Sequence, residues 1–428
     1  MAHYRGMDVT DHRIDVPLDY SRREGEKISV FAREVSTDST KPWLLFLQGG
    51  PGGKSPRPAS LSGWLAEATK HFRVLLLDQR GTGLSTPANR KTLALRGDSA
   101  AQARYLEYFR ADSIVKDAEA LREHLGVEKW STFGQSYGGF CTLTYLSLFP
   151  ASLSRCLVTG GLASLDQDAR TVYRATYARM AERNREFFSW YPEDFDKLHQ
   201  IYQHVRENHD EFLPNGQQVT VPLVQMLGMY LGGNTRVHLL HHIFEEAFSP
   251  TPGGLRLSDT FLDALYAQSS FASNPLYALM HESIYAQGEA TNFAAEDVLS
   301  EFEEFTEHAK TPLLTGEMIF RWHFAQDPAL RPLEDVARIL AEHEHFAPLY
   351  DLDVLAENTV PVAAAVYHDD VYVDRELSLR TASQVAGLQT WVTDEYHHDG
   401  IGDDGPAIFR RLLAMTNGED PEAAAKGD

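Results

Sequence analysis

Cysteine is nearly absent: Cys141 and Cys156 are the only two among 428 residues. A scaffold stapled by disulfides is therefore excluded, and a reducing cytoplasm is the natural compartment. Both cysteines stand in apolar stretches and read as small core residues. No run approaches the roughly 20 apolar residues of a membrane span. The opening Met1-Ala2-His3-Tyr4-Arg5 has no apolar segment behind it that would make a signal peptide. Positive charge is scarce: 39 Lys and Arg stand against 61 Asp and Glu, a formal net charge of −22. That balance argues against nucleic acid or an anionic membrane as partner. Internal repeats and low-complexity tracts are missing as well. What remains is an ordinary globular composition, 43% hydrophobic and 23% charged. The length suggests about two or three domains. Self-association into a homo-oligomer is left open.

One segment stands out. Gly134-Gln135-Ser136-Tyr137-Gly138 fits G-x-S-x-G, with a β-type stretch (Trp130 to Phe133) before it and an apolar helical run (Phe140 to Leu148) after it. Strand, sharp turn and helix are what a nucleophile elbow requires, with Ser136 exposed above a sheet. Around it the chain divides into three parts. Residues 1–161 alternate strands and helices, with continuous apolar runs at Trp43 to Leu47 and Arg73 to Leu77 that suit strands buried on both faces. Asp112 to Leu125 reads as an amphipathic helix capped by Asp112. Residues 162–350 are dominated by helical stretches, among them Asp168 to Glu186 and Val221 to Leu231, and read as an inserted cap. Residues 351–428 return to α/β order, with strands at Val360 to Val366 and Leu388 to Thr393. A small, charged tail from Asn417 to Asp428 is expected to fray. The fold class is α/β with a mainly parallel sheet.

A serine hydroxyl needs an imidazole to take its proton, and the imidazole needs a carboxylate to hold its tautomer. In α/β-hydrolases these follow in chain order Ser, Asp or Glu, His. Here one late strand runs into Tyr367-His368-Asp369-Asp370, and the last runs into Asp394-Glu395-Tyr396-His397-His398-Asp399-Gly400. Asp370 is the expected acid, with Asp369 as rival; His398 is the expected base, with His397 as rival. The oxyanion hole is expected from the N–H of Tyr137 and a second N–H, of Gly49 or Gly50, in the loop Gln48-Gly49-Gly50-Pro51-Gly52-Gly53. That loop has neither the G-K-[ST] end of a P-loop nor a G-x-G-x-x-G pattern. His238, His241 and His242 lie on an apolar helical stretch, and Glu342-His343-Glu344-His345 lacks zincin spacing. No metal and no cofactor are expected.

These residues carry a resemblance. Gln48-Gly49-Gly50-Pro51-Gly52 looks like the H-G-G-P-G loop of the proline iminopeptidase (prolyl aminopeptidase) family. Asp78-Gln79-Arg80-Gly81-Thr82-Gly83-Leu84-Ser85 matches its D-Q-R-G-x-G-x-S segment, and Gly134 to Gly139 its G-x-S-W/Y-G-G elbow. The likeness covers both core segments and is faint in the cap. Two departures stand out: Gln48 replaces the family's histidine, and Val373 stands where many relatives have a cysteine after the acid.

The resemblance implies an α/β-hydrolase with a helical cap, no metal, and removal of an N-terminal residue, often proline, from small peptides with a free amine. An ammonium in a partly closed pocket needs a carboxylate partner. His281-Glu282-Ser283-Ile284-Tyr285 resembles an E-x-x-Y element of the family's cap, which makes Glu282 an expected amine anchor; Glu317, in Gly316-Glu317-Met318, is a second. The spacing of Phe320, Trp322 and Phe324 suits a pocket for a proline ring and equally the cap's own core. Asp78 and Arg80 are expected to brace the loops as an ion pair.

Overall fold

The computed structural model describes residues 2–4 and 6–426. Met1 and Arg5 of the opening segment lie outside the described residues, as do the last two residues of the tail. Among the described residues there are eleven strands: β1 (Ala2–Tyr4), β2 (Met7–Pro17), β3 (Lys27–Ser36), β4 (Trp43–Leu47), β5 (Arg73–Asp78), β6 (Trp130–Gln135), β7 (Leu153–Thr159), β8 (Phe248–Thr251), β9 (Gly254–Leu257), β10 (Val362–Tyr367) and β11 (Leu388–Thr393). Nine of them form one sheet in the order β1-β2-β3-β5-β4-β6-β7-β10-β11. Pairings from β1 through β3 to β5 are antiparallel. From β5 to β11 every pairing is parallel.

Burial explains the patterns. β10, Val-Ala-Ala-Ala-Val-Tyr, is buried at every position, as a parallel strand covered on both faces must be. In β2, toward the sheet's edge, only Met7, Val9 and Val16 are buried, and the positions between Val9 and Val16 are part-buried or exposed. In β4, Leu44 and Phe46 join one apolar cluster with Phe409 and Leu412. Leu45 and Leu47 join the other, with Ile114 and Leu143. This is the period-two side-chain alternation of a strand between two layers. Helices Gly63–His71 and Gly400–Asn417 cover the first face; Ala111–His124 and Tyr137–Leu148 cover the second.

The chain leaves the sheet after β7 and returns at β10. Between them lie Ala169–Trp190, Pro192–Glu207, Arg236–Glu245, Asp259–Ser269 and further short helices. Asp168 caps the first of these, accepting the Thr171 N–H at 2.7 Å. The antiparallel hairpin β8–β9 also sits here, a piece of strand inside a segment read as helical. Val221 to Leu231 is α-helical only to Gln225 and continues as a 3₁₀ helix, Met226–Gly232. Helix Ala111–His124 is capped by Arg110, not Asp112, which sits in its first turn. The tail makes a short helix, Pro421–Lys426, where the Arg410 guanidinium donates to the Ala424 and Ala425 carbonyls.

Arg110 also joins this layer to the inserted segment. Its buried guanidinium donates to the carbonyls of Ser283 (3.1 Å), Ala347 (3.0 Å) and Ala286. Its face lies 4.4 Å from the Phe346 ring centroid. Among the described residues it has no carboxylate partner. Burial pushes its affinity for the proton below that of an ordinary arginine.

Candidate active site

The parallel register brings the carboxyl ends of five strands together. Leu47 pairs with Gly134, Gln135 with Thr159, Thr159 with Ala365 and Tyr367 with Thr393. The loops after β4, β6, β10 and β11 therefore emerge side by side, the usual location of a site in an open α/β sheet.

Ser136 sits between β6 and the helix Tyr137–Leu148 with φ 54° and ψ −125°, a backbone conformation that costs a non-glycine residue of order 1–3 kcal/mol. Its N–H donates to Thr159 O (3.0 Å), and its own carbonyl accepts the Gly139 N–H (2.7 Å). The elbow presses on β4: a Cβ at Gly138 would lie 1.9 Å from Leu47 O. On the other side the Gln48–Gly53 loop closes in. A Cβ at Gly49 would stand 3.0 Å from Ser136 Cβ and 2.6 Å from Gln135 Oε1, so only glycine lets this backbone abut the serine. Tyr137 is the first helical residue, and its N–H has no intrahelical acceptor.

His398 Nδ1 lies 2.9 Å from Asp370 Oδ2 and 3.1 Å from Oδ1. Nδ1–H donates to this carboxylate, which leaves Nε2 to accept the Ser136 hydroxyl at 3.0 Å. Asp370 is buried, and its Oδ1 also accepts the N–H groups of Tyr372 (2.9 Å) and Val373 (3.0 Å). Burial disfavours a charged His398, but the charge and hydrogen bond of Asp370, with Glu317 and Asp399 beyond, outweigh it and raise the imidazole to about 9. Of the rivals, Asp369 is turned outward onto His368 Nδ1 at 2.7 Å. His397 is buried with an unpartnered Nδ1, and burial lowers its affinity for a proton.

Ser136, His398, Gly49, Gly50 and Glu317 line one cleft of about 330 Å³, together with Met229, Arg236, Gln268, Tyr372 and Asp399. Glu317 Oε1 accepts a hydrogen bond from Tyr277 Oη at 2.9 Å. Tyr372 stands edge-on to His398, centroids 4.9 Å apart, and donates its hydroxyl to Met229 O at 2.9 Å.

Other expectations are corrected. Glu282 does not line this cleft. Its oxygens accept the N–H groups of Ala294 (2.9 Å) and Ala295 (3.0 Å), the start of helix Ala294–Leu299. It serves that helix as a capping carboxylate would. Burial pushes its carboxyl up to about 7, against the pull of those two N–H groups. Phe320 and Trp322 stack on each other and line a separate cap cavity, while Phe324 lines a third; none borders Ser136. Asp78 and Arg80 do not pair. Asp78 takes Arg57 and the N–H groups of Ser55 (3.1 Å) and Leu84 (2.8 Å). Arg80 reaches Asp117 and the carbonyls of Leu18, Tyr108 and Pro17. A buried guanidinium has five donors to satisfy, and one carboxylate at the end of β5 could not have met them. Gln79 Nε2 donates to Gln48 O at 2.9 Å, which ties down the loop.

His241, His242 and Glu245 place ligand atoms within 4.8 Å of one another on a cap helix, outside the cleft. His241 Nδ1 is already engaged with the buried Asp194. Sequence reasoning passed over Arg236, Gln268 and Asp399; only Asp399, next to His398, carried a signal of position.

Comparison with known proteins places the chain among characterised families. The α/β hydrolase fold family matches residues 42–200. A proline iminopeptidase of Aeromonas sobria is 44% identical over 418 residues, covering 96% of this chain and 97% of its own. Another, of Aspergillus aculeatus, is 34% identical over 421 residues, covering 95% of this chain and 93% of its own.

Proposed function

The chain belongs to the proline iminopeptidase family of α/β-hydrolases, and we propose from its site that it is a serine aminopeptidase releasing an N-terminal residue, foremost proline, from small peptides. The observation that carries this reading is a carboxylate, Glu317, in the same cleft as a serine hydrogen-bonded to a histidine that is itself paired with an aspartate. A hydrolase acting on neutral esters has no use for that charge; a peptide's ammonium does.

In this mechanism Glu317 holds the α-amine and so sets how far the peptide enters. The Ser136 hydroxyl gives its proton to His398 Nε2 as Oγ attacks the first carbonyl. Asp370 holds Nδ1–H and steadies the imidazolium. The N–H of Tyr137 and that of Gly49 or Gly50 receive the oxyanion. His398 then passes its proton to the departing amine, the C–N bond breaks, and an acyl-enzyme remains on Oγ. Water, deprotonated by the same imidazole, releases the amino acid and restores the serine. Residues 162–350 act as the cap that limits access to chain ends. A cytoplasmic location fits two free, buried thiols.

The test is a panel of aminoacyl-β-naphthylamides beside their N-acetylated forms and p-nitrophenyl esters. The expected result is turnover of Pro-β-naphthylamide that disappears on N-blocking and, in Ser136→Ala, falls by at least about a thousandfold. Turnover of esters alone, or indifference to N-blocking, would leave the scaffold right and the substrate wrong.

A further inference from the structure

The cleft carries charge of both signs. Among the described residues Arg236 is the one arginine or lysine lining it, in the same cleft as the carboxylates of Glu317 and Asp399, in a chain whose formal net charge is −22. Its side chain is 47% exposed. It sits at the start of helix Arg236–Glu245, directly after a segment pinned from two sides. Tyr372 Oη donates to Met229 O, and the Arg183 guanidinium donates to Leu231 O (3.0 Å) and Gly233 O (3.2 Å). The backbone that presents Arg236 is therefore anchored.

The guanidinium itself is weakly committed. Its approach to Asp399 is 3.9 Å, too long for a hydrogen bond. It reaches Gln268 Oε1 only at 3.5 Å, and it lies 5.4 Å over the Tyr230 ring. An arginine with spare donors in a planar fork is suited to bidentate recognition of a carboxylate. The small peptide proposed as substrate brings one: its own C-terminus, on the leaving side of the scissile bond. Glu317 takes the positive end of such a peptide, and a cation in the same small cleft suits the negative end.

We propose that Arg236 binds the C-terminal carboxylate of the substrate, so that the preferred substrates are di- and tripeptides with both ends free. This rests on the aminopeptidase reading and deepens it: Arg236 selects peptide length by reading the far end. A longer peptide would carry its carboxylate out of the cleft and lose the contact. An aminoacyl-naphthylamide has none to offer.

The experiment compares kcat/KM for Pro-Gly and Pro-Gly-Gly with their C-terminal amides, in the wild-type protein and in Arg236→Gln and Arg236→Lys. In the wild type the free acid should be favoured over the amide by about threefold to fivefold at one or both lengths, the size expected of one half-exposed charge pair. In Arg236→Gln that ratio should fall to about one, and Arg236→Lys should keep part of it. The ratio is taken within each protein, so a loss of folded enzyme cancels. Amidation without effect at both lengths, or a preference that survives Arg236→Gln unchanged, overturns the proposal. In either case turnover of Pro-β-naphthylamide leaves the aminopeptidase reading standing. Failure of the wild type on every one of these substrates overturns both.

Discussion

In the proposed mechanism His398 decides the acid limb of the pH profile. The base must be neutral to take the serine proton, and its folded pKa is raised to about 9. As pH falls through and below that value the imidazole is protonated, so kcat/KM for Pro-β-naphthylamide should drop by about tenfold per pH unit. Glu317 is among the charges that hold the imidazole up. Glu317→Gln should therefore raise KM and move the acid limb to lower pH; a limb that stays in place would show that the base does not feel this carboxylate. Ser136, Asp370 and His398 were legible in the sequence because each lies at a strand end fixed by chain order. The choice between Glu282 and Glu317 was not. A residue's number in the inserted segment does not say which face of a helix or turn it occupies, and the neighbours of Glu282 (His281, Ser283) and of Glu317 (Gly316, Met318) do not separate the two.

Among the elements, the strands that frame the site were easiest to read. Burial on both faces turns β4, β5 and β10 into unbroken apolar runs. The hairpin β8–β9 is mostly exposed, so no burial pattern announces it. The stretch Met226–Gly232 repeats apolar residues at spacings that satisfy a 3₁₀ helix as well as an α-helix. The element Ala294–Leu299 depends on Glu282. It begins after two consecutive non-glycine residues with positive φ, Asn292 (52°) and Phe293 (59°), and the Glu282 carboxylate receives the first N–H groups beyond them. Glu282→Gln should lower stability by about 1–2 kcal/mol in urea denaturation, the cost of an amide group facing a buried donor. Its kcat/KM for Pro-β-naphthylamide should remain within about threefold of wild type. A hundredfold loss of activity at unchanged stability would return Glu282 to the substrate.

Across the whole molecule, the sheet and the inserted segment share one apolar cluster that runs from Leu45 and Leu77 to Phe244 and Leu340. Arg110 fastens the same boundary through three carbonyls contributed by two stretches of the insertion. Arg110→Met would leave the Ala286 and Ala347 carbonyls without this donor, while Ser283 O keeps the Ala286 N–H, and should cost about 2 kcal/mol or more. Calorimetry should then show the single transition of the wild type broadened or split; an unchanged single transition would mean the cluster alone couples the two parts. The fastening has a consequence for traffic through the cleft. If the proposed cap is held by this fastening, it would act as a doorway of fixed width and not as a swinging lid. Peptides would be sorted by what fits through the opening, and turnover should depend little on solvent viscosity, because no large closing motion has to precede each reaction.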